Sequence, residues 1–328
     1  MTHITLPDDI AVIRDEAFAG CNLRDVVIPE DVVSIGENAF NCDNLRAAVL
    51  KSSTQNLTPN IFSEYYLEEL YLPFDLPADY DVEFTAQSVY VPLGCKAGYV
   101  ANIQKNNPDY TGENVKELDF DAQSFAINAA EGYGTYYTDR PFVMPEGVEG
   151  GVVTPGDAEG VMRVDYRYAA GDVVPARTGL VLKGEPGTYA YESKFFYEAP
   201  AAPAGNLLSG TVQQTVLPED DAVAYYMLSY DREGADLGFY WGAEDGGPFT
   251  NGAHRAYLAL PRGEAALAKA FVLDGDHLAT GIGGVTSSTA DAPTAVYTLR
   301  GTKVTTPVDQ LPRGLYIING KKVFVPGK

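Results

Sequence analysis

The sequence predicts a mainly β protein: a short solenoid of repeats, then an antiparallel β-sandwich-like domain, then a small C-terminal β tail. Three observations carry this expectation. A 22-residue period runs through the first quarter of the chain. From Leu118 onward, short runs of Tyr, Phe, Val and Leu alternate with Gly/Pro punctuation every 8–12 residues. Near the end, Asn319-Gly320 stands between two apolar runs.

The period is read from columns. Phe18, Phe40 and Phe62 recur at the same interval, as do Leu23, Leu45 and Leu67, then Ile28, Leu50 and Leu72, then Ile13, Ile35 and Leu57. Each unit reads as one solenoid turn, whose apolar edge is covered only when neighbouring turns stack. Within a turn, Leu-x-x-Val-x-Ile-Pro contains a short strand. Leu23, Val26 and Ile28 point inward, followed by Leu45, Ala48 and Leu50, then Leu67, Leu70 and Leu72. Ala17–Cys21 is expected to form a helical or 3₁₀ turn on the opposite side. Val89–Pro92 supplies a last strand, and residues 94–106 a helix that caps the open end of the core. Residues 1–106 are thus assigned to the solenoid and the polar stretch 107–118 to a linker.

The segment Ile35-Gly36-Glu37-Asn38-Ala39-Phe40-Asn41-Cys42, followed by Leu45, together with Val26-Val27-Ile28-Pro29, resembles the leucine-rich repeats of BspA-like surface proteins, found in Bacteroidetes and some parasites. Val89–Tyr99 is similar to the closing unit of that family. The resemblance covers about residues 4–106 and weakens at Ser63-Glu64, where the Gly/Asn-Cys element is missing. It implies a leucine-rich-repeat solenoid, an extracellular or outer-cell-surface location, and adhesion to host or matrix proteins or to other cells.

Turns at Gly132–Gly134, Pro145–Gly147, Gly184–Gly187 and Gly246–Pro248 space the strands of the domain expected over residues 119–280. The stretch Val174–Gly184 resembles a β module that follows such repeats in Bacteroidetes surface proteins. Residues 281–294 are rich in Gly, Ser and Thr and read as a flexible linker. In residues 295–328, Asn319-Gly320 signals a type I′ hairpin. This tail resembles the sorting or anchoring tails of secreted Bacteroidetes proteins; a β module with no sorting role is the alternative.

Charge excludes some partners. The chain has 23 Lys and Arg against 45 Asp and Glu, a net charge of −22. Residues 1–106 hold 6 basic against 16 acidic residues, 107–275 hold 11 against 26, and 276–328 hold 6 against 3. Phosphate recognition needs a basic face, so no nucleic-acid partner is expected. No stretch reaches the roughly 20 apolar residues of a membrane span. The chain begins partway through a repeat with no signal-peptide pattern, so a targeting signal is expected to lie in preceding sequence. Of the three cysteines, Cys21 and Cys42 fall in nearly the same place in successive turns and read as small core residues, with an inter-turn bridge as the alternative. Cys95 has no evident partner.

No enzyme is predicted, and no cofactor. The three histidines, His3, His254 and His277, lack metal-ligand spacing, and HExxH, G-x-S-x-G, P-loop and G-x-G-x-x-G patterns are all absent. Glu219–Asp221 and Asp274–Asp276 read as solvated acidic turns rather than calcium loops.

Two surfaces are candidates for binding. Stacking the turns in register places Val27, Val49, Tyr71 and Tyr90 in one outward column, beside Asp25, Ala47, Glu69 and Ser88. An apolar-aromatic ladder flanked by acids suits an unknown protein ligand. The alternative is a covered sheet face packed on the β domain. In that domain, Tyr240 and Trp241 are candidates for stacking on sugar rings, making a glycan-binding accessory module the rival function. Aromatics in a β domain are otherwise core and cross-strand pairs.

Overall fold

The computed structural model describes residues 2–53, 61–62, 67–76, 86–128, 132–155, 161–196, 199–230, 237–262, 270–273, 278–281, 296–298, 303–304, 314–318 and 321–325. The chain is mainly β. It divides into two compact units, one of Met1–Gly150, Tyr168–Thr178 and Leu182–Pro203, the other of Gly151–Arg167, Gly179–Val181 and Ala204–Lys328.

The first unit contains a β-solenoid of about four turns. Its elements are β1 (His3–Thr5), β2 (Val12–Ile13), β3 (Asp25–Ile28), β4 (Ser34–Ile35), β5 (Ala47–Leu50), β6 (Leu67–Tyr71), β7 (Ala86–Pro92), α1 (Lys96–Ile103) and β8 (Val115–Leu118). The main sheet is parallel, in the order β1-β3-β5-β6-β7-β8, and β2 pairs with β4 in a second short parallel ribbon. Register follows the sequence period. Val27 lies opposite Val49, Val49 opposite Tyr71, and Tyr71 opposite Tyr90.

All nine expected inward strand residues are buried, from Leu23 to Leu72, in one core with Ile13, Ile35 and Phe40. Phe40 stacks on Phe18 at 5.0 Å between ring centroids and meets Phe62 at 6.2 Å, so the phenylalanine column is a continuous ladder. Gly36 is required by the stacking itself: a Cβ there would overlap the Asp15 amide of the neighbouring turn. Residues 15–20 form hydrogen-bonded turns rather than a helix, with Ala19 N–H donating to the Glu16 carbonyl at 3.0 Å.

The end cap is present but differs from expectation. Tyr99 of α1 is buried in the solenoid core, and its hydroxyl donates to the Phe74 carbonyl at 2.8 Å. However, β7 is not the last strand. Val115–Leu118, inside the stretch expected as a linker, adds one more, with Val115 and Leu118 fully buried. The polar residues around that four-residue strand hid it.

The chain continues through β9 (Ser124–Ile127), β10 (Tyr133–Tyr136), β11 (Phe142–Val143), β12 (Val148–Pro155), β13 (Val161–Tyr168), β14 (Val173–Val174), β15 (Leu180–Gly184) and β16 (Gly187–Ala190). Within the first unit, β9 pairs with β16 and β11 with β14, both antiparallel. Phe125, Tyr136, Phe142 and Tyr191 pack there as an aromatic cluster, with the Tyr136 and Tyr191 hydroxyls 2.5 Å apart.

The second unit holds β17 (Leu208–Thr211), β18 (Thr215–Val216), β19 (Val223–Tyr230), β20 (Leu237–Trp241), β21 (Thr250–Asn251), β22 (Arg255–Pro261), β23 (Ala270–Leu273) and β24 (Leu278–Gly281). Antiparallel pairing runs β13-β24-β23-β20-β19-β22-β17. One face carries Tyr226, Phe239, Leu258 and Phe271, all fully buried. In the tail, Val296–Thr298, Lys303–Val304, Gly314–Ile318 and Lys321–Val325 form a four-stranded antiparallel sheet. Ile318 pairs with Lys321. Asn319 and Gly320 themselves lie outside the described residues, as do Leu57, Ser63-Glu64, Asp274–His277 and nearly all of the 281–294 linker.

Candidate functional site

The outward column exists as a column, but it is not an open surface. Val49, Tyr71 and Tyr90 are 0%, 1% and 7% exposed and form a second small core with Leu118. Val27, Phe120, Phe195 and Phe196 pack against it. Tyr71 and Tyr90 stack at 4.8 Å, Phe195 meets Tyr71 edge-on at 4.8 Å, and Phe196 lies 5.1 Å from Tyr90. Tyr71 donates its hydroxyl to Glu69 Oε2 at 2.7 Å and accepts the Phe196 amide at 3.1 Å. Burial pushes the Glu69 carboxyl upward, opposed by that tyrosine donor, and raises the Tyr71 and Tyr90 hydroxyls as well. The expectation that Val49, Tyr71 and Tyr90 face a partner is therefore corrected. An aromatic column on a sheet is apolar enough to attract cover from the protein itself. Asp25 and Val27, at the other end of the column, remain partly accessible, and Asp25 meets His3 Nδ1.

Tyr240 and Trp241 do not form one platform. Adjacent strand residues point to opposite faces. Trp241 lies across from the buried Tyr226, and its Nε1 is itself buried. Tyr240 lies across from Met227, which is exposed. The Phe239-Tyr240-Trp241 run gave no hint of this split except through the period of two.

What the first unit does offer is a groove of about 720 Å³ where the solenoid strands end. One wall comes from turns that follow β3, β5 and β6, with Glu30, Lys51, Ser53 and Phe74. The other comes from Phe120, Asp121, Arg140, Glu192, Lys194 and Phe195. Val27 and His3 also line it. Lys194 Nζ pairs with Glu192 Oε1 at 2.6 Å, and Lys194 N–H donates to the Pro141 carbonyl. Both charge signs and several aromatic edges line the groove, as in contact surfaces for polypeptide.

Arg140 is the unusual member. It is 7% exposed, and its Nη1 donates to the Phe120 carbonyl at a long 3.3 Å. Its Nε is buried with no acceptor. The rings of Phe120 and Phe195 lie 4.9 and 5.6 Å from the guanidinium carbon. Desolvation lowers its pKa, opposed chiefly by the neighbouring Asp139 charge. No pattern in the residues marks Arg140, Lys51 or Glu30. Each sits outside the repeat columns, and the two walls are brought together by contacts over long sequence separations.

Among the described residues, no cluster of three or more His, Cys, Asp or Glu could hold a metal ion. Nor is any helix among them long and apolar enough to cross a membrane. All three cysteines are free thiols. Cys42 is buried, with its Sγ donating to the Phe18 carbonyl at 3.1 Å, whereas Cys21 is exposed rather than in the core. Burial and the Asp75 carboxylate push the Cys95 thiol up to about 11, which favours the thiol over the thiolate at neutral pH.

Parallel strands, one turn per repeat and inward leucine columns define the first part of the chain as a leucine-rich-repeat solenoid. Residues 1–80 match the family model of the BspA type leucine rich repeat region, in six copies. Such repeats point to a protein-interaction module and are typically non-catalytic. No curated protein and no solved structure matches the chain.

Proposed function

We propose that this chain is a non-catalytic interaction protein of the cell surface or the extracellular space, adhering to a matrix protein or another cell through the groove at the strand ends of its solenoid. The observation that carries this reading is the six-copy BspA-type repeat region, ending in a groove lined by both charge signs and aromatic edges. BspA-type repeat proteins are often surface or secreted, which supports the location. The antiparallel strands of the second unit serve as a sandwich-like spacer, and residues 295–328 as a sorting or anchoring segment. The interaction site moves from the Tyr71–Tyr90 column to the neighbouring groove, because the column is occupied by Phe195 and Phe196.

The test is a binding screen of the immobilised chain against purified extracellular-matrix proteins and a glycan array at physiological salt. A saturable protein ligand whose binding drops at least tenfold on Lys51→Glu or Glu30→Lys supports the groove. Both residues are exposed, so neither change threatens the core. Glycan ligands alone, unaffected by these variants, would move the function to the second unit.

A further inference from the structure

We infer that the groove of the first unit is an acidic-peptide site, in which the Arg140 guanidinium takes a carboxylate from an extended segment of the partner protein. The inference rests on the proposed role of the groove in protein binding and adds the chemistry of what it recognises.

A buried cation is ordinarily paired, because its desolvation is repaid only by a close counter-charge and filled hydrogen bonds. Arg140 has five N–H donors. Among the described residues, its guanidinium has one acceptor, the Phe120 carbonyl at 3.3 Å, and no carboxylate within ion-pair distance. Asp139 is adjacent in sequence, but its carboxylate accepts the Asp119 amide, at 3.2 Å to one oxygen, instead of the guanidinium. Asp119 in turn accepts the amides of Asp121 and Ala122 at 2.9 and 3.0 Å. The Asp139 charge contributes most to the field that offsets burial of Arg140, with the Tyr191 and Tyr71 hydroxyls and the Asp119 charge behind it, but each of these groups has its own hydrogen-bond partner.

The surroundings specify the ligand further. Phe120 and Phe195 lie against the guanidinium, a setting that favours cation–π contact and fixes the plane of the fork. A planar fork with free N–H groups matches a carboxylate two atoms at a time. Glu30, Asp121 and Glu192 on the same groove repel a doubly charged phosphate more than a single carboxylate. Lys51 gives an extended chain a further charge contact along the wall, and Lys194, which already pairs with Glu192, adds a weaker one. An Asp or Glu side chain on a polypeptide meets all of these conditions. Nε itself has no solvent contact.

The experiment is NMR of the full chain, labelled for arginine Nε–H detection, titrated with acetyl-Gly-Glu-Gly-Glu-Gly-amide in 150 mM salt. The Gln counterpart peptide serves as the control. The expected result is a saturable shift of the Arg140 Nε–H signal by the Glu peptide, at least tenfold weaker for the Gln peptide. Arg140→Gln should lower Glu-peptide affinity at least tenfold. If that variant does not fold, the wild-type comparison of the two peptides and Lys194→Ala, expected to lose two- to fivefold, decide the matter. No movement of the Arg140 signal, or equal response to both peptides, overturns the inference. The outcomes separate from those of the binding screen. A matrix protein bound through Lys51 and Glu30 with a silent Arg140 leaves the groove reading intact. A responsive Arg140 without any protein ligand defeats the adhesion reading alone.

Discussion

Both faces of the main parallel sheet are covered, the outer one only in part, and for different reasons. The inner face is covered by the solenoid itself. Leu23, Leu45 and Leu67 are neighbours because one turn takes 22 residues, and every turn makes the same contact. The outer face is covered by residues far along the chain, Phe120, Phe195 and Phe196, over only part of its width. The inner face is therefore a collective property of the repeat, while the outer is a single docked contact. The lesson is that a column can be right in register and still not be a surface.

Substitutions can break this contrast. The largest effect is expected from Phe40→Ala, which removes the middle ring of the phenylalanine ladder. It should cost about 4 kcal/mol in urea unfolding and melt the whole repeat unit. Gly36→Ala comes next, at about 2 kcal/mol, because the added methyl runs into the backbone of the preceding turn. A neutral Gly36→Ala would show that the turns are looser than their stacking implies. Tyr71→Phe should cost about 1 kcal/mol by stranding the Glu69 carboxylate and the Phe196 amide. Its effect should be local: faster hydrogen exchange at Phe196 with the inner strands unchanged. Equal acceleration of both faces would erase the distinction.

The smallest effect is electrostatic. Burial raises the carboxyl groups of Glu69 and Asp139 above their ordinary values of 4.5 and 3.8. Between the unfolded and the raised folded value the native state holds more protons, so this contribution to stability is full below the ordinary values and falls as pH rises through the window. Thermal melts should therefore show a gain as pH falls from neutral toward those ordinary values. The Glu69→Gln, Asp139→Asn double variant should flatten that slope relative to the parent. An unchanged slope would assign the pH response to the overall net charge of −22 instead.

Much of the solenoid was legible because repetition multiplies a weak signal. Leu23 alone says little, but five columns in one register fix turn length, inward residues and strand position together. The last strand, Val115–Leu118, was missed because it stands alone, 26 residues beyond its partner in β7 and outside the period. The groove was less legible still. Phe195 and Phe196 are visible as an aromatic run, but nothing local says that they cover Tyr71. Arg140 is a single arginine between Asp139 and Pro141, and only the fold brings it to Phe120 and Phe195. Tyr240 and Trp241 could have been separated earlier, since neighbours on a strand cannot share a face.

The hydrogen bond from the Phe196 amide to the Tyr71 hydroxyl joins residues 125 positions apart. During synthesis the solenoid turns can stack as they emerge, since each needs only its predecessor. The tyrosine column cannot be covered until Phe195 and Phe196 have been made. At about 5–20 residues per second, that delay is roughly 6–25 s. For that interval a nascent chain carries an aromatic stripe with no cover of its own, and it is then that a chaperone, or a neighbouring nascent chain, would find it.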